Sequence, residues 1–159
     1  MKKIRLGSKK GIVEFAIVDD EDFEKVSSLN WHITNGYAVH TKHVKYDGGK
    51  QIQRPVYMHR LIAKTPDGMD TDHKNCDKLD NRKENLRVCT RSQNIYNRKF
   101  KKSISGLQGV RPSGKKWTAR IKANGKEIHI GTYETIEEAI VVRDEAAKKY
   151  HGRFATLNR

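Results

Sequence analysis

Short apolar runs broken by polar, glycine-containing stretches fill the first third of the chain. Patches around Ile4 to Leu6 and Ile12 to Val18 flank Gly7-Ser-Lys-Lys-Gly11, a pattern that predicts a strand hairpin. Asp19-Asp-Glu-Asp-Phe-Glu-Lys-Val26 predicts a short helix with carboxylates in its first turn, where the helix dipole favours them. Capping explains these acids better than metal ligation does. Trp31, Tyr37 to Val39 and Gln51 to Tyr57 read as further strands, with Asp47-Gly48 as the turn before the last. Tyr57 to Lys64 predicts a helical turn that Thr65-Pro66 ends.

The middle of the chain changes character. Met69 to His73 predicts a short strand, Lys74 to Asn85 a polar loop, and Leu86 to Cys89 a returning strand. Thr90-x-x-Gln93 fits a capping box, so a helix starts there with Asn94 in its first turn. Arg98-Lys-Phe-Lys-Lys102 and Ser103 to Gly106 then form a basic linker, with Arg98 and Lys99 placed to track a nucleic-acid backbone.

The last third predicts three strands and a helix. Gly109 to Arg111 and Trp117 to Lys122 are the first two strands. Asn124-Gly125 is a strong hairpin turn, and Lys126 to Ile130 is the third strand. Thr135-x-x-Glu138 caps the helix, and Gly152 suits its far end. Ile136, Ala139, Ile140, Val142, Ala146, Ala147 and Tyr150 supply its apolar positions. The expected fold is α+β, divided into a β-rich segment at 1–56, a central core with its linker at 57–102, and a sheet-plus-helix domain at 103–159.

Composition narrows the partner. The chain has 159 residues, 35% hydrophobic and 33% charged, so its cores must be small. A net charge of +14 and a pI of about 9.8 mark a polyanion binder. Residues 1–58 hold 10 basic against 7 acidic side chains, 59–102 hold 12 against 6, and 103–159 hold 11 against 6. The charge is therefore spread over the whole chain. With no long apolar run and no strongly amphipathic basic helix, nucleic acid is a better partner than membrane. Cys76 and Cys89 stand outside any paired CxxC motif and read as reduced thiols of a cytosolic protein. The opening Met-Lys-Lys-Ile-Arg-Leu-Gly lacks the apolar core of a signal peptide.

Met-His-Arg-Leu-Ile-Ala, followed by Thr-Asp-His-Lys-Asn-Cys-Asp-Lys-Leu-Asp-Asn-Arg-Lys-Glu-Asn-Leu-Arg-Val-Cys-Thr-Arg-Ser-Gln-Asn, resembles the HNH nucleases over residues 57–98. It is closest to their phage and intron homing branch. Upstream, Val-Asp-Asp-Glu-Asp-Phe, Trp31 and Gly-Tyr-Ala resemble the amino-terminal segment of such enzymes. The resemblance implies a ββα-metal core with His73 as general base, since neutral imidazole accepts a proton near pH 7. It implies Asp72 and Asn94 as ligands of one divalent cation, Mg²⁺ or Mn²⁺, and Asn85 as the residue that ties the loop and orients His73. Asn94 stands where many of these nucleases carry histidine, as in the homing branch. Asp70, Asn75, Asp77, Asp80 and Asn81 are assigned to loop chemistry. His59 is left between packing, support of the site and phosphate contact. His32, His40 and His43 read as packing or surface residues, beside Lys42, Lys45 and Lys50, which could reach phosphates.

Gly109-Val-Arg, Lys116-Trp-Thr-Ala-Arg-Ile, Gly131-Thr-Tyr, Thr135-Ile-Glu-Glu-Ala, Asp144-Glu-Ala-Ala and Ala155-Thr-Leu-Asn resemble the AP2/ERF DNA-binding domain over residues 105–158. That resemblance implies a three-stranded sheet in the major groove with a helix behind it. Strand alternation supports the same division. Trp117, Ala119, Ile121, Ile128 and Ile130 would face the helix, leaving Thr118, Arg120, Lys122, Glu127 and His129 outward beside Arg111. Arg111 and Arg120 are the first candidates for reading bases, and Lys115, Lys116 and Lys126 for phosphates. Arg120 and Glu127 reverse the charges usual in the plant proteins, so the target sequence does not carry over.

Together these readings describe a site-specific, metal-dependent DNA endonuclease of homing type. It would be a monomer on double-stranded DNA, nick one strand, and work in the cytoplasm of a bacterial host if phage-encoded. The alternative is a catalytically silent DNA-binding regulator on the same scaffold. Binding of structured RNA would explain the charge but not Asp72, His73 and Asn94 together.

Overall fold

Lys2–Leu6 and Glu14–Val18 each alternate outward and inward residues, and they pair as the antiparallel strands β1 and β2 with Lys2 opposite Val18 and Leu6 opposite Glu14. The computed structural model of the chain describes residues 1–7, 13–45, 51–97 and 105–158. The expected turn residues at 8–11, the Asp47-Gly48 turn, and Arg98 and Lys99 with most of their linker lie outside the described residues. The chain divides into two units, Met1–Cys89 and Thr90–Arg159.

In the first unit, β2 leads into helix α1 (Asp20–Ser27). Strands β3 (His32–Thr34), β4 (Tyr37–Lys45) and β5 (Gln51–Tyr57) follow as an antiparallel sheet in that order. Helix α2 (Met58–Ile62) comes next and ends sooner than expected, because Lys64 takes a left-handed φ of 48° before Thr65-Pro66. Strands β6 (Asp70–His73) and β7 (Leu86–Cys89) pair antiparallel across the polar loop.

One apolar cluster holds this unit together. Ile4, Leu6, Ala16 and Val18 from the inner face of β1–β2 meet Val26, Trp31, Ala38, Met58, Ile62 and Leu86. The cluster draws on six elements separated widely in sequence, which is how a chain with so few apolar residues still closes a core. The loop adds to it through backbone pairing: Ile17 donates to the Leu79 carbonyl and Asn81 donates to the Ile17 carbonyl, each at 2.8 Å.

Asp20, Glu21 and Asp22 fill the first turn of α1 as expected, but the helix is not capped through a side chain. Asp19 makes no side-chain cap bond. Its Oδ2 instead accepts from the Lys83 backbone N–H at 2.8 Å, while Lys83 Nζ lies 2.7 Å from Glu21 and 3.2 Å from Asp22. A lysine from the loop thus bridges and partly offsets a cluster that otherwise looks like a set of ligands.

The second unit begins with α3 (Arg91–Tyr96), closed by the expected Thr90–Gln93 capping box. Strands β8 (Val110–Ser113), β9 (Lys116–Ala123) and β10 (Lys126–Tyr133) form an antiparallel sheet with β9 central. Helix α4 (Ile136–His151) carries the second capping box at Thr135 and Glu138. Val110, Ala119 and Ala139 form the core between sheet and helix, with Trp117, Ile136 and Ile140 against it.

Two positions depart from the apolar pattern. Tyr150 is 43% exposed, and the buried stripe of α4 instead contains Ala139, Arg143, Ala147 and His151, spaced one turn apart on one face. Arg143 is tolerated there because its Nη1 donates to Asp144 and to the Thr156 carbonyl. Gly109, with φ of 73°, lets the backbone approach Arg120, whose carbonyl oxygen an added Cβ would meet at 2.3 Å. Among the described residues no helix is long and apolar enough to cross a membrane.

Candidate active site

Pairing of β6 with β7 places Asp72 opposite Arg87 and His73 opposite Leu86. Asp72 and His73 are 6% and 5% exposed. The Asp72 carboxylate does not enter this environment alone: its Oδ2 accepts from Arg87 Nε at 2.7 Å and lies 2.6 Å from Nη2. A guanidinium gripping one oxygen fixes the carboxylate's orientation as well as balancing its charge.

His73 is one of a group of rings. Its centroid lies 5.0 Å from His59, edge to face, and 6.0 Å from Tyr37. His59 in turn lies 5.1 Å from Tyr37 and 5.5 Å from Tyr57. Burial pushes the His73 imidazole below its ordinary pKa, while the Asn81 side chain and the carboxylates of Asp72, Asp77 and Asp80 pull the other way. The same burial, helped by the nearby His73 and Arg60, holds His59 at about 3. Both rings are neutral at neutral pH. A neutral, oriented imidazole can accept a proton from water.

The loop from Lys74 to Asn85 is built by its polar side chains. Asn85 accepts the Asn75 N–H on Oδ1 at 3.0 Å and donates from Nδ2 to the Asp80 carbonyl at 2.8 Å. Asn75 donates to Asp80, Asp77 accepts from the Leu79 N–H, and Arg82 grips both Asp80 oxygens at 2.8 Å. Asn85 therefore spans the loop, while the Asn81 amide is the group beside the imidazole. Sequence reasoning passed over Tyr37, Arg87 and a direct role for Asn81. Arg87 had a signal: it is the cation on β7 that falls opposite Asp72 once the two strands are put in register.

Asn94 lies half-buried on α3 in the second unit, with its backbone N–H donating to the Thr90 carbonyl at 3.0 Å. Asp72 and Asn94 offer a carboxylate and an amide, both oxygen donors, which suit a hard divalent cation.

The outer face of the second unit's sheet is basic. Arg111, Lys115, Lys116, Arg120, Lys122, Lys126 and His129 are exposed. Glu134 lies 2.5 Å from Lys116 and raises its pKa, and Glu127 lies 3.7 Å from Arg120. Thr118 differs from the expected exposure. It shares the outward parity of Arg120 but is only 7% exposed, because it sits on the central strand between Arg111 and Thr132. In the first unit, exposed Lys42 stands directly opposite exposed Arg54 in the β4–β5 pair.

Two comparisons bear on this arrangement. The model of the HNH endonuclease family matches residues 56–96, from the end of β5 to the end of α3. An uncharacterized HNH endonuclease of Acanthamoeba polyphaga mimivirus is 33% identical over 157 residues, spanning 97% of this chain and 79% of that protein.

Proposed function

The chain belongs to the HNH endonuclease family, a DNA-cleaving hydrolase, and on that premise we propose that it is a site-specific, metal-dependent nuclease of homing type that nicks one strand of duplex DNA. The placing of His73 carries this reading: it is buried on β6 next to Asp72, whose carboxylate Arg87 holds, and packs against His59 and Tyr37. His73 takes the proton of a water whose oxygen attacks the phosphorus. The bond to the 3′ oxygen breaks and that oxygen takes a proton from solvent, leaving 5′ phosphate and 3′ hydroxyl ends. Asp72 and Asn94 would hold one Mg²⁺ or Mn²⁺, which would supply stabilisation of charge on the phosphate and the departing oxygen. Arg87 keeps Asp72 oriented, Asn85 secures the loop, and His59 packs against the base.

Choice of target belongs mainly to the second unit, acting as an AP2/ERF-like reader. A three-stranded antiparallel sheet backed by a single helix, with Arg111 and Arg120 on the exposed face, supports that assignment. Lys115, Lys116, Lys122, Lys126 and His129 surround them as phosphate contacts, with Thr118 beneath, and Arg98 and Lys99 follow the backbone from the linker. The protein acts as a monomer on DNA, in the cytoplasm of a bacterial host if phage-encoded.

Supercoiled plasmid tests this reading. At low salt, where discrimination relaxes, Mg²⁺ or Mn²⁺ should convert it to open circle, and chelation should stop the reaction. Asp72→Ala and Asn94→Ala should bind the DNA but leave it supercoiled. Cutting that persists at full rate in chelator would exclude the metal-dependent mechanism.

A further inference from the structure

Helix α3 has six residues, none of them fully buried, and a helix this short does not hold itself. Its first turn is closed by the Thr90–Gln93 box. Its last residue, Tyr96, makes three contacts within the second unit. The ring stacks on His151 with centroids 3.8 Å apart and planes inclined by 7°. The hydroxyl oxygen accepts from the Asn124 N–H at 3.2 Å, at the tip of the β9–β10 hairpin. The carbonyl accepts from the Thr156 hydroxyl at 3.1 Å. His151 is itself buried on α4, with Nε2 2.9 Å from the Lys122 carbonyl of β9. Asn97, next in the chain, is buried as well.

A polar aromatic ring stacked on a histidine costs side-chain freedom, and neither residue belongs to the apolar cluster of this unit. What the contacts accomplish is to fasten α3 to α4 and to the strand that carries Arg120 and Lys122. We propose that Tyr96, seated on His151, is a positioning residue that sets α3, and with it Asn94 less than one turn away, on the DNA-reading module. The inference rests on the reading of Asn94 as a metal ligand. The second unit then carries a ligand as well as the reading face. The helix that presents a ligand is built into it, so a loosened Tyr96 seat degrades metal binding and turnover without touching the DNA-binding face.

The test uses the full-length protein as wild type, Tyr96→Ala, Tyr96→Phe, His151→Ala and Asn94→Ala. Mn²⁺ affinity is read from the spin-resonance signal of the free ion, DNA affinity by gel shift in chelator, and cleavage as separate kcat and KM. Tyr96→Ala and His151→Ala should bind DNA like wild type, bind Mn²⁺ more weakly, and lose kcat by about 10²-fold at unchanged KM, the scale of an ångström-level misplacement. Tyr96→Phe, which keeps the stack, should retain most of the rate. Wild-type Mn²⁺ affinity and kcat in Tyr96→Ala overturn the inference. If that variant fails to bind DNA, the same result in His151→Ala overturns it. Should Asn94→Ala leave both quantities unchanged, the ligand reading falls first and this inference with it.

Discussion

The β6–β7 connection and the β9–β10 connection solve the same problem, returning an antiparallel strand, by different means. Between β9 and β10 the chain turns in two residues, Asn124 and Gly125, with φ of 51° and 77°. That is the left-handed pair a tight hairpin needs, and the backbone alone closes it. Between β6 and β7 the chain takes twelve residues, Lys74 to Asn85, closed at the base by the Lys74 N–H donating to the Asn85 carbonyl at 2.9 Å. Beyond that bond, side chains organise the loop: Asn75, Asp77, Asp80, Asn81, Arg82 and Asn85 bond to loop backbone or to each other. Most of the carboxylates and amides that crowd His73 in sequence are thus building material. A long polar loop beside a catalytic base needs its own scaffold, and that scaffold uses the residue types from which metal sites are made.

The loop's dependence on side chains is greatest at Asn85. Asn85→Ala removes both of its side-chain bonds and strands the Asn75 N–H and the Asp80 carbonyl. A loss of about 2–4 kcal/mol is expected, measured as a lower urea midpoint together with reduced cleavage. An unchanged midpoint would show that the loop does not depend on its amides.

Acid should strain the first unit through its buried rings. The unfolded chain protonates His59 near 6.5 and the folded one only at about 3. Stability is therefore complete above about 6.5 and falls progressively as pH drops towards 3. Thermal unfolding between pH 7 and pH 4 should show this decline, and His59→Phe should flatten it, leaving the part due to His73. An equal slope in the variant would contradict the account of His59.

At the sheet, Arg120→Ala should weaken binding to the cognate site by about 1–3 kcal/mol and relax base preference. Lys116→Ala, whose charge is shared with Glu134, should weaken all sequences alike and lower the salt slope by about one. Quantitative gel shifts over a salt series separate the two, and equal effects on all sequences would remove Arg120 from base reading. The smallest effect is expected at the tight turn. An added Cβ at Gly125 meets nothing within 4 Å, so Gly125→Ala carries only the left-handed backbone penalty of about 1–2 kcal/mol. A melting-temperature shift confined to that size would confirm a turn held by backbone.

What could be read in the chain beforehand follows the same line. Both capping boxes, the Asn124-Gly125 turn and the inward faces of β9 are local patterns, and each appears where its spacing put it. The tie from the first-turn acids of α1 to Lys83 has no local signal, because Lys83 lies 62 residues from Glu21. Arg143 entered the buried stripe of α4 because the Thr156 carbonyl and Asp144 satisfy it, and the helix alone does not announce that. Arg87 became visible only with strand register. Local chemistry was legible; contacts made by a distant partner were not.

His73 is where the distinction between scaffold and chemistry is sharpest, and its removal is the most direct test. Single-turnover cleavage of bound duplex by wild type and His73→Ala, in saturating Mn²⁺ and with DNA affinity checked in chelator, isolates the proton-transfer step. The variant should bind DNA as the wild type does and cut about 10²–10⁴-fold more slowly, the range for loss of a general base. Cleavage by folded His73→Ala at the wild-type rate would contradict the mechanism at its centre.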